Sequence, residues 1–255
     1  WWWYLNDNKE MEGHYVDGRK NGVWTWWFDS GIKQSEGHYV DDEQDGLWSY
    51  FAKDGSVAEE ITFSGGKRDG RSTVWLTPEE KQEEKFYKNG KLDGPSTFWE
   101  NGYRSTMTTY KSDSPEGPWV IWFSNSDQIK EQGFHQKGIR EGLTTYYYED
   151  GTMQREGFFK EGLPDGMWTY WNKEGEKDFD FDFGSGLQHI SLEDLVERES
   201  TFYKLGEDTP FTGIITQENP EADYLFLGRT KGGKKDGQWV KWFPSGKDVP
   251  EIILV

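Results

Sequence analysis

Carboxylates dominate the groups able to do chemistry: 47 Asp and Glu in 255 residues, beside four His and no Cys. Without Cys there is no thiol nucleophile, no disulfide and no thiolate-bound zinc. The histidines are His14, His38, His135 and His189. A zinc centre needs three or four converging donors, and no pair of these has metal-ligand spacing. His14 and His38 occupy the same place in a repeated phrase, EGHYV, so repetition accounts for them. Asp178, Asp180 and Asp182 alternate with Phe179, Phe181 and Phe183. Alternating Asp can ligate calcium, but the Gly and distal Glu of an EF-hand are not in place. The same alternation predicts a strand with one apolar and one wet face. No Gly-x-Ser-x-Gly elbow or phosphate loop occurs. A Glu/Asp pair for glycoside hydrolysis is the one catalytic option left. The acids, however, recur in turn phrases such as KEG and EDG, where they are solvated. The expectation is a protein that is not an enzyme and needs no cofactor or metal.

The rings are more orderly than the acids. Aromatic residues make up 17% of the chain, with 15 Trp, while all hydrophobic residues reach only 33%. That balance suits a thin structure held by large flat side chains better than a wide aliphatic core. A Gly precedes each aromatic run, at Gly22, Gly46, Gly70, Gly94, Gly117, Gly142 and Gly166, in steps of 24, 24, 24, 23, 25 and 24 residues. Gly213 and Gly237 continue the series. Counting from this anchor, and leaving Gly213 aside, position +5 is a ring in all eight units: Trp27, Phe51, Trp75, Trp99, Trp122, Tyr147, Trp171 and Trp242. Position +2 is Trp24, Trp48, Trp119, Trp168 and Trp239. Position −7 is Tyr15, Tyr39, Phe63, Tyr87, Tyr110 and Phe159, with His135 as the exception.

Runs such as VWTWWF and MWTYW have strand length and strand composition. They are punctuated by DSG, KDG, ENG and EDG, which offer the positive φ angles of hairpin turns. Each period therefore builds two antiparallel strands, with +2 and +4 on one face and +5 on the other. One hairpin cannot bury its own apolar face; its neighbours do so. The expected fold is all-β, an elongated single-layer antiparallel hairpin array with one short helix near 192–199. That helix is read from Ser191 as a cap and a Leu192, Leu195, Val196 stripe. The array occupies 1–186. Residues 187–255 form a linker with the short helix plus a further, partial repeat module.

The net charge is −18. A nucleic-acid binder shows a basic face and a lipid-binding segment shows clustered Lys and Arg; neither is present. No apolar run reaches the length of a membrane span. An acidic surface attracts a basic protein partner. The +5 rings are the candidate contacts for such a partner, with the +2 and +4 rings as the alternative set. The chain opens on Trp1 inside a repeat, since WWWYLNDNKEMEG aligns with TWWFDSGIKQSEG. A trimmed or processed piece is expected, and the absent Met and Cys lean towards a bacterial protein outside the cytoplasm.

The phrases YKNGKLDGPSTFWENG and YVDGRKNGVWTWWFDSG resemble the MORN repeat, in the bacterial variant form labelled the YwqK-type antitoxin family. The resemblance covers Trp1 to about Trp171, and again about Gly228 to Gly246. It implies a β-repeat scaffold that binds a protein partner, and the antitoxin label implies an inhibitor of a toxin. The lipid binding proposed for basic members is not expected of this acidic chain. A second, weaker similarity is to cell-surface choline- and glucan-binding repeats, whose aromatic cages hold a quaternary ammonium or a sugar face.

Overall fold

The computed structural model describes residues 2–184, 186–219, 224–242 and 251–253. Almost all of them lie in strands or the turns between strands. Two compact units divide the chain: Trp1–Glu141 with Glu149–Gly151, and Gly142–Tyr148 with Thr152–Val255.

The first unit is a run of hairpins. Its strands are β1 (Trp2–Trp3), β2 (Lys9–Val16), β3 (Arg19–Trp27), β4 (Lys33–Val40), β5 (Glu43–Phe51), β6 (Val57–Ser64), β7 (Lys67–Trp75), β8 (Lys81–Lys88), β9 (Lys91–Glu100), β10 (Tyr103–Lys111), β11 (Ser114–Trp122), β12 (Ile129–Gln136) and β13 (Ile139–Arg140). Each pairs antiparallel with the next in sequence. Two turn types alternate. The tight ones, such as Asp17–Gly18 (φ +50° and +78°) and Asn89–Gly90 (φ +50° and +84°), put both residues in the left-handed region. This is the two-residue hairpin geometry that matches strand twist. Successive tight turns are laced together: Asp42 N donates to Lys20 O, Gly66 N to Gln44 O, Gly90 N to Arg68 O and Gly138 N to Pro115 O, at 2.7–3.0 Å.

The anchor glycines sit in bulges, and these come in two forms. Where the residue nine before the anchor is Gly, as at Gly13 and Gly37, pairing skips it: Glu12 opposes Thr25, then His14 opposes Asn21. The anchor φ is then +79° at Gly22 and +75° at Gly46. Where that residue is Ile61, Lys85 or Thr108, it pairs directly with position +2, and the bulge moves one residue on. The anchor φ opens to +114°, +130° and +118° at Gly70, Gly94 and Gly117. The residue at −9 decides the form, and in the first form a Trp at +2 can use the space that Gly leaves. Its ring lies flat on the bulged Gly, where an added Cβ would come 2.1 Å from Trp24 at Gly13 and 2.1 Å from Trp48 at Gly37. Trp24 and Trp48 are 0% and 2% exposed, and each indole N–H donates to the carbonyl after the Gly, His14 O at 3.2 Å and His38 O at 3.1 Å. A side chain at the −9 position is met by Ser72 or Ser96 at +2, and in one case, Thr108, by Trp119.

The second unit starts with hairpins of the same kind: β14 (Gly142–Tyr147), β15 (Met153–Lys160), β16 (Leu163–Trp171) and β17 (Lys177–Asp182). Then come β18 (His189–Ser191), β19 (Leu195–Arg198), β20 (Thr201–Lys204), β21 (Gly213–Asn219), β22 (Tyr224–Lys231), β23 (Lys234–Trp242) and β24 (Glu251–Ile253). β18 joins β21 in parallel and heads a five-stranded sheet; β19 and β20 form a separate hairpin. The expected alternating strand at 178–183 is β17. Its neighbourhood holds a core where Tyr146, Phe159, Trp168, Tyr170, Phe181, Phe183 and Ile214 pack together.

The helix expected near 192–199 is not there. Ser191 caps only a single 3₁₀ turn, Leu192–Asp194, its side chain accepting from Glu193 N. The chain then extends as β19. Leu195 enters a core with Phe202, Phe211 and Ile215 from this extended form, and Val196 pairs opposite Tyr203. Eight residues are too few for a helix to hold against strand pairing and burial.

The Gly37–Trp48 contact makes a direct prediction. Gly37→Ile should destabilise the protein by about 3 kcal/mol through overpacking, and Trp48→Ser by about 3–5 kcal/mol through lost burial. The double variant reproduces the Ile61–Ser72 combination and should lose at least ~1 kcal/mol less than the sum. Denaturant midpoints of all four proteins check this; strict additivity would refute the contact's role.

Candidate functional site

The first unit presents two chemically distinct sheet faces. One carries positions +2, +4 and −7 and is lined with rings. Trp2, Tyr15, Trp24, Trp26, Tyr39, Trp48, Tyr50 and Phe63 form an unbroken chain of contacts, with centroids 5.0–6.4 Å apart. Tyr15 and Tyr39 stand edge-on to Trp24 and Trp48 at 5.0 Å, a favoured aromatic geometry worth about 0.5–1.5 kcal/mol per pair. The Trp at +2 are buried beneath this layer. The outer rings stay partly open, and Tyr15 is 46% exposed. Burial, and then the neighbouring Tyr50 and Asp42, push the Tyr39 phenol above its ordinary range.

Cations of the chain settle on these rings. Lys20 Nζ lies 4.6 Å from the Trp24 ring, 5.3 Å from Trp26 and 5.0 Å from Tyr39. The residue at the same repeat position is Arg68 over Tyr87, at 5.3 Å, and Arg140 over Trp119, at 4.6 Å. Arg140 also reaches the buried carboxylate of Glu131, at 3.4 Å.

The opposite face carries +1, +3 and +5. The +5 rings expected to meet a partner are only partly open. Trp27, Phe51 and Trp99 lie beneath Lys9, Lys33 and Lys81, at 5.4, 5.7 and 5.5 Å. Those lysines pair with Glu12, Glu36 and Glu84 at 2.7–2.8 Å. Thr25 Oγ1 also donates to Glu36, at 3.0 Å. The Lys33 hydrogen bond is the main cause holding the Glu36 carboxyl below its usual range. Trp122 is buried under Arg104, 4.7 Å away. Trp75 is half-buried on β7; in the second unit Tyr147 and Trp171 are half-buried on β14 and β16. Trp242 ends β23, and its side chain lies outside the described residues. The more open apolar row on this face is +1 and its cross-strand neighbours. Val23, Leu47 and Phe134 belong to it, at 59%, 53% and 44% exposed. The alternation of faces could have found that row; the sequence reading stopped at the larger rings. The Lys–Glu pairs were equally visible as Lys and Glu three residues apart at 9/12, 33/36 and 81/84.

The second unit contains a cavity of about 180 Å³ bounded by Phe181, Phe183, Ile214 and Arg229. Its two carboxylates, Asp182 and Asp236, clamp Arg229 at 3.5 and 3.1 Å, an ion-pair arrangement. Asp180 is likewise held, by Lys177 and Thr169. No group of three or more potential metal ligands occurs among the described residues.

The family model for the MORN repeat variant matches residues 20–41 and 140–161. The first match is the hairpin of β3 and β4, with Trp24 and Gly37; the second covers the hairpin of β14 and β15, with Gly157. No curated protein matches the chain. Repeats of this kind are generally binding or scaffold modules, and the hairpin array supports that role.

His135 replaces a −7 ring and stacks on Trp119 at 5.6 Å, with Nδ1 buried and lacking a hydrogen bond. Burial, and then Arg140, depress its proton affinity below the ordinary 6.5. The unfolded chain therefore takes the proton more readily. The stability His135 contributes is complete above pH 6.5 and is lost as pH falls through the depressed value. Thermal melts between about pH 7.5 and pH 5 should show His135→Phe losing less stability on acidification than the parent. Equal losses would contradict this.

Proposed function

We propose that the chain is a non-enzymatic β-repeat scaffold that engages another protein through the ring face of its first unit. One observation carries the reading: an uninterrupted, partly open path of rings from Trp2 to Phe63 on a chain of net charge −18. Partly open aromatics supply most of the binding energy at protein interfaces. A surplus of carboxylates draws in a basic partner and speeds encounter. In the first unit the +5 rings Trp27, Phe51, Trp75 and Trp99 form a second contact row, reached when a partner displaces the lysines above Trp27, Phe51 and Trp99. An antitoxin-like inhibitor is the specific version of this function, with the partner a toxin silenced by direct binding.

Tagged protein purified from its native source should retain a basic partner, identified by mass spectrometry and re-bound in purified form. Its affinity should fall at least about tenfold from 50 to 300 mM salt. Tyr15→Ser and Phe98→Ser, the latter at the partly open +4 position of β9 on the same face, should weaken it by about 1–2 kcal/mol each, while Trp27→Ala and Phe51→Ala measure the second row. Recovery of no partner by the full chain would defeat the proposal. Titration of toxin activity to baseline at equal stoichiometry would establish the inhibitor version.

A further inference from the structure

The ring face repeats one three-ring arrangement, in which the first set holds a lysine and the next an amide. In the first set, Trp24, Trp26 and Tyr39 surround the ammonium of Lys20. In the next, Trp48, Tyr50 and Phe63 stand in the same order. Trp48 lies 6.2 Å from Tyr50 and 6.4 Å from Phe63. The residue corresponding to Lys20 is Gln44. Its amide makes one long contact with the Tyr50 hydroxyl, at 3.4 Å. No described Lys or Arg lies over these three rings. The Glu59 carboxylate flanks the set on β6, opposite Tyr50 in register, and pairs with Arg68 at 3.8 Å.

We propose that Trp48, Tyr50 and Phe63 form a socket for a lysine ammonium supplied by the partner protein, with Gln44 swinging aside to admit it. This rests on the reading of the ring face as a protein-binding surface. Lys20 is the chain's own demonstration of the ligand: an ammonium on a four-carbon stem, seated among three ring faces whose quadrupoles attract it. The choice of lysine over arginine comes from the other sets. Arg68 lies over the Tyr87 ring and Arg140 over the Trp119 ring, contacts a flat guanidinium makes by stacking. The three-ring set took the compact cation. The acidic surroundings favour the same charge.

Two variants move the site in opposite directions without removing a ring. Gln44→Lys copies the neighbouring repeat and fills the socket from within; Lys20→Gln empties the first set. The full chain is titrated with Nα-acetyl-lysinamide at constant ionic strength. Acetyl-norleucinamide serves as the uncharged control, and indole N–H resonances are followed. The parent should bind in the roughly millimolar range with shifts centred on Trp48. Gln44→Lys should abolish the response, and Lys20→Gln should add a second one at Trp24 and Trp26. Equal shifts with the norleucine control, or an undiminished response in Gln44→Lys, would overturn the socket.

With the purified partner, Gln44→Lys should weaken binding at least fivefold. An unchanged affinity would overturn the partner lysine while leaving the protein-binding function standing. Tetramethylammonium binding tenfold more tightly than the lysine amide, together with that unchanged affinity, would assign the rings to a free quaternary ammonium instead. The absence of any partner would defeat the protein-binding function and with it the source of the lysine, though the amide titration would still report on the socket.

Discussion

A tryptophan at position +2 can lie flat across the strand beside it only because that strand presents hydrogen instead of a β-carbon. At Gly13 and Gly37 the indole occupies the space a side chain would need, and its N–H reaches the next carbonyl. This one steric allowance has long reach. It buries a large ring within a sheet that has little aliphatic material, and it sets where the bulge falls. Through the bulge it fixes the φ angle of the anchor glycine. Where the allowance is missing, at Ile61, Lys85 and Thr108, the backbone answers with the second bulge form.

The two faces of the first unit then divide the labour. The ring face gains cohesion from edge-on aromatic pairs and keeps its outer rings accessible. The other face covers its rings with lysines and ties those lysines to glutamates. Surface ion pairs contribute little stability singly. Here each lysine also packs its stem along a ring, so the same side chain supplies contact area and charge pairing. A scaffold made this way holds its form without a thick core, which suits the low hydrophobic content of the chain.

The period, the hairpins and the division of +2/+4 from +5 were legible because Gly spacing and strand alternation are local properties. Turns were legible only in part: Asn101–Gly102 in ENG takes two positive φ angles, whereas in DSG, KDG and EDG only the Gly does and the loop is wider. The segment after Leu187 was not. Leu192, Leu195 and Val196 have helical spacing, yet β19 pairs with β20 and buries Leu195 from an extended chain. Pairing between strands some residues apart leaves no mark in an eight-residue window. The positions of lysines over rings were also hidden, because the partners come from neighbouring strands. Trp27 meets Lys9 only after β2 and β3 have paired. Exposure followed the same logic: the largest rings drew attention, while the smaller residues Val23 and Leu47 ended up more open.

The lacing of successive tight turns has an evolutionary corollary. Asp42 N reaches Lys20 O, and Gly66 N reaches Gln44 O, by the same atoms and the same offset. Any internal hairpin could be duplicated or excised at equivalent points, and each new junction would find its donor and acceptor waiting. Growth or shrinkage by recombination is thus tolerated by the backbone itself, leaving selection free to act on which side chains each copy displays.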